Sequence, residues 1–289
     1  MITLGKAEQD AAGAAARAGV FVRSVDSVAD LHGVADLFSR VWDASLAPPM
    51  PPDIMRSLGH AGGRVHGAFR GSQLVGASVA VFGPPADASC YSLIAGVSAE
   101  AASRGIGLAL KLAQRAWALR AGAVSMSWTF DPLLRRNARF NISRLGAVGT
   151  EYLVDFYGEI ADGVNDPETD RVAVSWDLRA ALPGPTAPAD LLGPRVPAGE
   201  DIPRAILVAG PAGEPVAGAV PGGDGSGPGR LRCWIPDDIL TTRRTDPGLA
   251  RRWRLAVRET LGGAMGDGYR VAALMKPGWY VLEKAQAGQ

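Results

Sequence analysis

Between residues 20 and 178 the apolar positions change period repeatedly, from the alternation of a strand to the three-and-four spacing of a helix, and this confines the chain to a mixed α/β fold. Val20-Phe21-Val22-Arg23 reads as a short strand. Ser27 or Asp30 can cap the helix that follows, whose Leu31, Val34, Leu37, Phe38 and Val41 recur at helical spacing. The proline-rich residues 47–52 must be a loop, and Pro52 suits the first turn of a short helix through Met55 and Leu58. Apolar runs at 65–69 and 74–82, separated by Arg70-Gly71-Ser72-Gln73, predict a β-hairpin. A strand over 89–97 leads into a long helix with Ile106, Ala109, Leu110, Ala113 and Trp117 on one face, ended at Gly122. Residues 124–130 form a strand broken by Asp131-Pro132, residues 137–145 a helix closed by Gly146, and 148–152 and 171–178 the remaining strands.

This order describes one domain over residues 20–179. Before it, residues 1–19 form an alanine-rich extension, frayed or helical. After it, residues 180–204 are dense in proline, glycine and alanine, as a linker is. A smaller αβ domain over 205–289 is expected, with strands at 205–208, 231–235, 269–274 and 279–282, a helix over 247–261, and a flexible segment over 210–229.

At 289 residues, 47% apolar, the chain can bury a sizeable core. Lysine plus arginine number 30 against 29 acidic residues, so no global field recruits nucleic acid or an anionic membrane, and an anionic ligand must be held locally. No run approaches the roughly 20 apolar residues of a membrane-spanning helix. Charged residues through 1–19 deny that stretch the apolar region of a signal peptide. Cys90 and Cys233 match no metal-ligand spacing and suit reduced core residues of a cytoplasmic protein; His32, His60 and His66 form no metal motif. No serine-hydrolase elbow or Walker motif occurs.

The segment Arg104-Gly105-Ile106-Gly107-Leu108-Ala109 sets closely spaced glycines where a strand passes into a helix. Backbone N–H groups can converge there on a bulky anion such as a pyrophosphate, helped by the helix dipole and by Arg104. Glycines at a helix start also serve simply as turn and packing residues. A Rossmann reading fails: no third glycine follows Gly107 at the required spacing, the strand at 124–129 carries no acidic residue, and a hairpin precedes the motif.

Here the sequence resembles the GNAT acyltransferases, whose signature of Gln or Arg, two residues, Gly, one residue, then Gly or Ala is matched by Arg104, Gly107 and Ala109. The element order over 20–178 is similar too, including a helix bearing Asn137 and ending in Leu145-Gly146-Ala147. The words Trp128-Thr129-Phe130-Asp131-Pro132 and Phe156-Tyr157-Gly158-Glu159 look like one subgroup of that family. The resemblance implies a GNAT-like mixed central sheet flanked by helices, acetyl-CoA or another acyl-CoA as co-substrate, no metal, and a small-molecule amine as acceptor. A homodimer is one assembly this allows. It would place the pyrophosphate on the amides of Gly105, Ile106, Gly107, Leu108 and Ala109, the acyl carbonyl at the amide of Val97 or its neighbour, and Asn137 against the pantetheine arm.

A protonated amine must lose a proton before attack, and the departing thiolate must gain one. Many members of the family use a tyrosine where this chain has Ile142, so Asp131, Asn141 and Tyr157 are the candidates for proton transfer. Asp131 is equally a turn residue, and Tyr157 equally a buried structural one. The polar segment 157–165 reads as a substrate loop in which Asp162 suits an ammonium group and Asn165 is a further substrate-site candidate, while Arg136 or Arg171 takes a carboxylate; the alternative is a solvated loop ending in an Asp170/Arg171 surface pair. The arginine cluster Arg243, Arg244, Arg251, Arg252, Arg254 and Arg258 is expected mostly as a solvated helical face. A GNAT-like module that binds acyl-CoA or a partner without turnover is the second functional class.

Overall fold

Thr3 opens the first helix by accepting the amide of Lys6 at 3.3 Å, and Gly19 closes it in the left-handed conformation. This element, α1 (Leu4–Ala18), buries Ala7, Ala14 and Ala18, so the N-terminal extension is a docked helix. The computed structural model describes residues 1–44, 47–158, 168–183, 203–218 and 229–285. The chain divides into two units: Met1–Trp128 with Asp177–Ala181, and Thr129–Trp176 with Leu182–Gln289.

The first unit continues with β1 (Phe21–Ser24), α2 (Val28–Trp42), α3 (Pro52–His60), β2 (Arg64–Arg70), β3 (Gln73–Phe82), β4 (Ser89–Val97), α4 (Ile106–Arg120) and the start of β5 (Ser125–Phe130). As the spacing predicts, Ser27 caps α2 through the Asp30 amide and β2–β3 is a hairpin. The sheet order is β1-β2-β3-β4-β5, antiparallel except for the parallel pair β4–β5. One face of β3 and β4 packs on α2 through Ala77, Val79, Leu37 and Phe38. The other face meets α4, where Ile106 and Leu110 join Ala68 and Val75. α4 is buried well beyond the single apolar face read from sequence: α1 packs against it, Leu108, Leu112 and Arg115 are inside, and Lys111 and Gln114 are buried toward Ser92 of β4.

The second unit holds the end of β5, α5 (Arg135–Ala138) widening into a π-type turn over Arg139–Arg144, β6 (Val148–Leu153), β7 (Arg171–Asp177), β8 (Arg204–Ala209), β9 (Pro215–Ala217), β10 (Arg230–Trp234), α6 (Ile239–Thr245), α7 (Pro247–Val257) with a second π-type turn over Arg258–Gly262, α8 (Gly263–Gly266), β11 (Tyr269–Met275) and β12 (Trp279–Lys284). Its strands run β7-β6-β11-β12-β10-β8-β9, with only β8–β10 parallel. Two expectations need correction here. The stretch expected to be flexible from residue 210 contains β9, a strand pairing with β8. The helix α6, absent from the sequence reading, forms because Asp238 accepts the Thr241 amide at 3.0 Å and so satisfies its first turn.

Candidate functional site

β4 pairs with β3 along its length, but with a register shift: Val79 faces Ile94 and Ala80 faces Ser92, which leaves Leu93 as a bulge. A bulge bends a strand and increases its twist. On its other edge β4 meets β5 only at Ser89, Cys90 and Tyr91, opposite Ser125, Met126 and Ser127. From Ser92 to Val97 that edge has no paired strand among the described residues. Unpaired strand edges present N–H and C=O groups to any extended ligand with amides of its own.

Beyond Val97 the chain turns through Ala99–Ala101, and Ser103 and Gly105 both take positive φ, +65° and +84°. Gly105 is the N-cap of α4 and offers no side chain to its first turn. The first helical bond of α4 runs from the Ala109 amide to the Gly105 carbonyl, so the amides of Ile106, Gly107 and Leu108 precede the hydrogen-bond ladder. No acidic residue occupies that turn, and Arg104 is exposed beside it. Such a helix start, with the helix dipole behind it, is able to cradle an anion. Val97 and its neighbours therefore lie between the unpaired edge and the cradle, all within the first unit.

The carbon face of β4 is also specific. A Cβ on Gly96 would come within 2.9 Å of the Trp42 ring, so only glycine lets α2 press its indole against this strand. That packing fixes the backbone next to Val97.

The remaining candidates belong to the second unit. Asp131 is buried and accepts from Arg243 Nη2 and Arg254 Nη2, each at 2.8 Å, and from the Leu133 amide at 2.9 Å. Burial alone would raise its carboxyl, but the two guanidiniums hold it well below the usual carboxylate range. A carboxylate so bound is a poor proton acceptor, and the Leu133 bond is the turn geometry read from Asp-Pro. Asn141 is buried on the π-type turn, and Asn137 and Arg136 are exposed on α5. Tyr157 is 51% exposed, with Arg171 5.0 Å above its ring, so it is not a buried structural tyrosine. Asp162 and Asn165 lie outside the described residues.

Two readings of charge are overturned. The arginines of α6, α7 and the turn after α7 are not mainly a solvated face: Arg243 and Arg254 hold Asp131, and Arg258 grips Asp170 through Nε at 2.9 Å and Nη2 at 2.7 Å. Asp170 is accordingly no surface partner of Arg171. It is fully buried, and it also accepts the Tyr152 hydroxyl at 2.7 Å and the Asp155 amide at 3.1 Å. Burial opposes its charge, yet these donors keep its carboxyl below the ordinary range, while burial and the same carboxylate push the Tyr152 phenol far up. Both cysteines are free and buried, as expected, and burial pushes each thiol up to about 12.

The fold over about half of the chain is similar to that of several solved proteins. An N-acetyltransferase from Staphylococcus aureus shares 12% identity over 55% of this chain and 98% of its own, with a TM-score of 0.47. The ribosomal-protein-S18-alanine N-acetyltransferase of Escherichia coli shares 12% over 56% and 96%, at 0.46. An acetyltransferase of Bacillus subtilis in complex with CoA shares 16% over 55% and 98%, at 0.41. All three are acetyltransferases. No protein-family model matches the chain, and no curated protein does.

Sequence reasoning missed one polar group altogether. Lys111, on the second turn of α4, is only 4% exposed; its Nζ donates to Ser92 Oγ at 2.8 Å and stands 3.8 Å over the Trp128 ring. Ser92 donates in turn to Gln114 Oε1 at 3.0 Å. The signal was present in composition, since only four of the 30 basic side chains are lysines.

Proposed function

We propose that the chain is an acyl-coenzyme A dependent N-acyltransferase of the GNAT kind, moving an acyl group to the amine of a small molecule such as an amino acid by direct attack in a ternary complex. One observation carries this reading: an uncapped helix start behind two positive-φ residues directly follows a strand whose outer edge is unpaired from Ser92 to Val97. The cradle suits a pyrophosphate, the edge suits an amide-bearing arm, and the Arg104, Gly107, Ala109 signature coincides with the cradle. Acetyl is the default acyl group, with succinyl the variant that the arginines would accommodate.

In this assignment the amides of Gly105, Ile106, Gly107 and Leu108 hold the coenzyme phosphates, and the Ala109 amide, committed to the Gly105 carbonyl, does not. The Val97 amide, or a neighbour, polarises the thioester carbonyl; one such donor contributes roughly 3 kcal/mol to an oxyanion. Asn137 contacts the arm, Asn141 and Tyr157 are the proton-handling candidates, and Arg136 or Arg171 receives an acceptor carboxylate. Asp131 is better suited to fixing the start of this unit than to taking a proton, because its charge is spoken for by Arg243 and Arg254.

Calorimetric titration with coenzyme A, followed by assay of thiol release from acetyl- and succinyl-CoA with a panel of amino acids and polyamines, tests the proposal. Absence of coenzyme binding removes it. Tight binding with no thiol release would instead support a non-catalytic acyl-CoA-binding module, a reading favoured by Ile142 at the usual tyrosine position.

A further inference from the structure

A chain that fills 26 of its 30 basic positions with arginine places its one buried lysine, among the described residues, inside α4; Lys6, Lys276 and Lys284 are exposed. Arginine cannot shed its proton in a protein, whereas a desolvated lysine can. Among the described residues no carboxylate contacts Lys111. Its surroundings are Ser92 and Cys90 of β4, Gln114 of the next helical turn, and the face of Trp128. Burial pulls the amine down to about 7, against the Trp128 ring face, which favours the ammonium, and this makes the free amine accessible near neutral pH.

Two further facts point from this amine to a ligand. Ser92 is the first residue of β4 beyond the pairing with β5, so Lys111 sits at the inner end of the unpaired edge. Ile106 to Lys111 is five residues, or about 7.5 Å along the helix, which keeps the amine close to the cradle. Secondly, Gln114 is fully buried and its Nε2 donor has no hydrogen-bond partner, as do His66 Nδ1 and Ser78 Oγ on the same α4-facing side of the sheet. Buried donors left unmet cost about 1–3 kcal/mol each, and a carbonyl oxygen would relieve one.

We propose that Lys111 is an internal acyl acceptor, a modification site that takes a short, uncharged acyl group from a thioester lying along the Ser92–Val97 edge. The inference rests on the acyl-CoA reading for its natural donor, with the arm running past Val97 to the inner end of the edge, because Ser92 lies five strand residues, about 16 Å, from Val97. In the step, Lys111 Nζ bonds to the thioester carbonyl carbon, the C–S bond breaks, and the proton released by nitrogen passes through the Ser92 hydroxyl to the departing thiolate. The product amide keeps an N–H for Ser92 Oγ and presents its new carbonyl to Gln114 Nε2. A succinyl group is disfavoured, because its carboxylate would be buried without a counter-charge.

The test is peptide mapping by mass spectrometry after the full-length protein is incubated with acetyl-CoA, succinyl-CoA, or the small nucleotide-free thioester S-acetyl-N-acetylcysteamine. Expected is a single acetyl on Lys111, formed about tenfold or more faster than on Lys6, Lys276 or Lys284, with no succinyl there. Gln114→Leu should slow it several-fold. Coenzyme A calorimetry on the same sample separates the two claims: no binding, with Lys111 still labelled by the small thioester, sinks the acyl-CoA reading and leaves the inference standing. Binding without label on Lys111 from either acetyl donor overturns the inference, as does uniform labelling of all four lysines or a hydroxylamine-sensitive ester on Ser92. Mapping wild-type protein decides this even if Lys111 variants fail to fold.

Discussion

Gly105 leads into α4 at a φ of +84°, a conformation in which a side chain would be strained. Gly107→Glu would set a long anionic side chain on the first turn of α4 and should abolish coenzyme binding in calorimetry while the far-UV spectrum stays native; unchanged affinity would end the proposal. Arg104→Ala should weaken binding by a smaller amount, roughly 1.5–3 kcal/mol, because the amides remain and one charge-assisted contact goes. These residues were legible in sequence because glycines at a strand-to-helix passage answer a backbone need. Lys111 was not, since it lies off the apolar face through Ile106, Leu110 and Trp117, and only the topology brings Ser92 and Trp128 against it. Its lowered value makes a further prediction. The unfolded lysine keeps its proton to about 10.5 while the folded one loses it near 7, so the cost of burying it is greatest below pH 7 and is relieved as pH rises between those values. Lys111→Met should therefore gain stability over wild type in urea titrations at pH 6–7, and the gain should shrink by about 1.4 kcal/mol per pH unit above that.

Elements were read well where one periodicity ruled and poorly where charge intervened. β4 and the hairpin before it follow plain alternation, and the sequence-derived strand over 89–97 coincides with Ser89–Val97. The arginines of α6 and α7 looked solvated because nothing local reveals that Asp131 and Asp170, more than 70 residues upstream, face them. Which residues pair across such distances is decided by topology, and a period of 3.6 carries no information about it. The energetic consequence is testable. Asp131→Asn leaves the Arg254 and Arg243 guanidiniums without their counter-charge and should cost roughly 3–5 kcal/mol in the second unit, seen as a lower thermal midpoint. A catalytic role alone would lower turnover and spare the midpoint.

Over the whole molecule the buried titratable groups add up to an alkaline stability optimum. Asp131 and Asp170, with lowered carboxyls, contribute stability that is complete above about pH 4 and is lost as pH falls toward their folded values. His66, pulled down to about 4 by burial, resists protonation that the unfolded chain accepts below 6.5, so stability also falls from there to pH 4. Lys111 adds its gain above 7. Cys90 and Cys233 act in the opposite sense, since the unfolded thiols ionise from about 9 while the buried ones wait until about 12. Thermal midpoints measured from pH 3 to 11 should therefore climb to a maximum near 9 and decline beyond it; a maximum at pH 6 would contradict the burial of Lys111. Finally, the indole of Trp42 lying against Gly96 makes the chain its own spectroscopic reporter. An arm that pairs with β4 beside Val97 would alter the electric field and rigidity felt by that ring, so coenzyme A titrations should shift the intrinsic emission in wild-type protein and lose that component in Trp42→Phe.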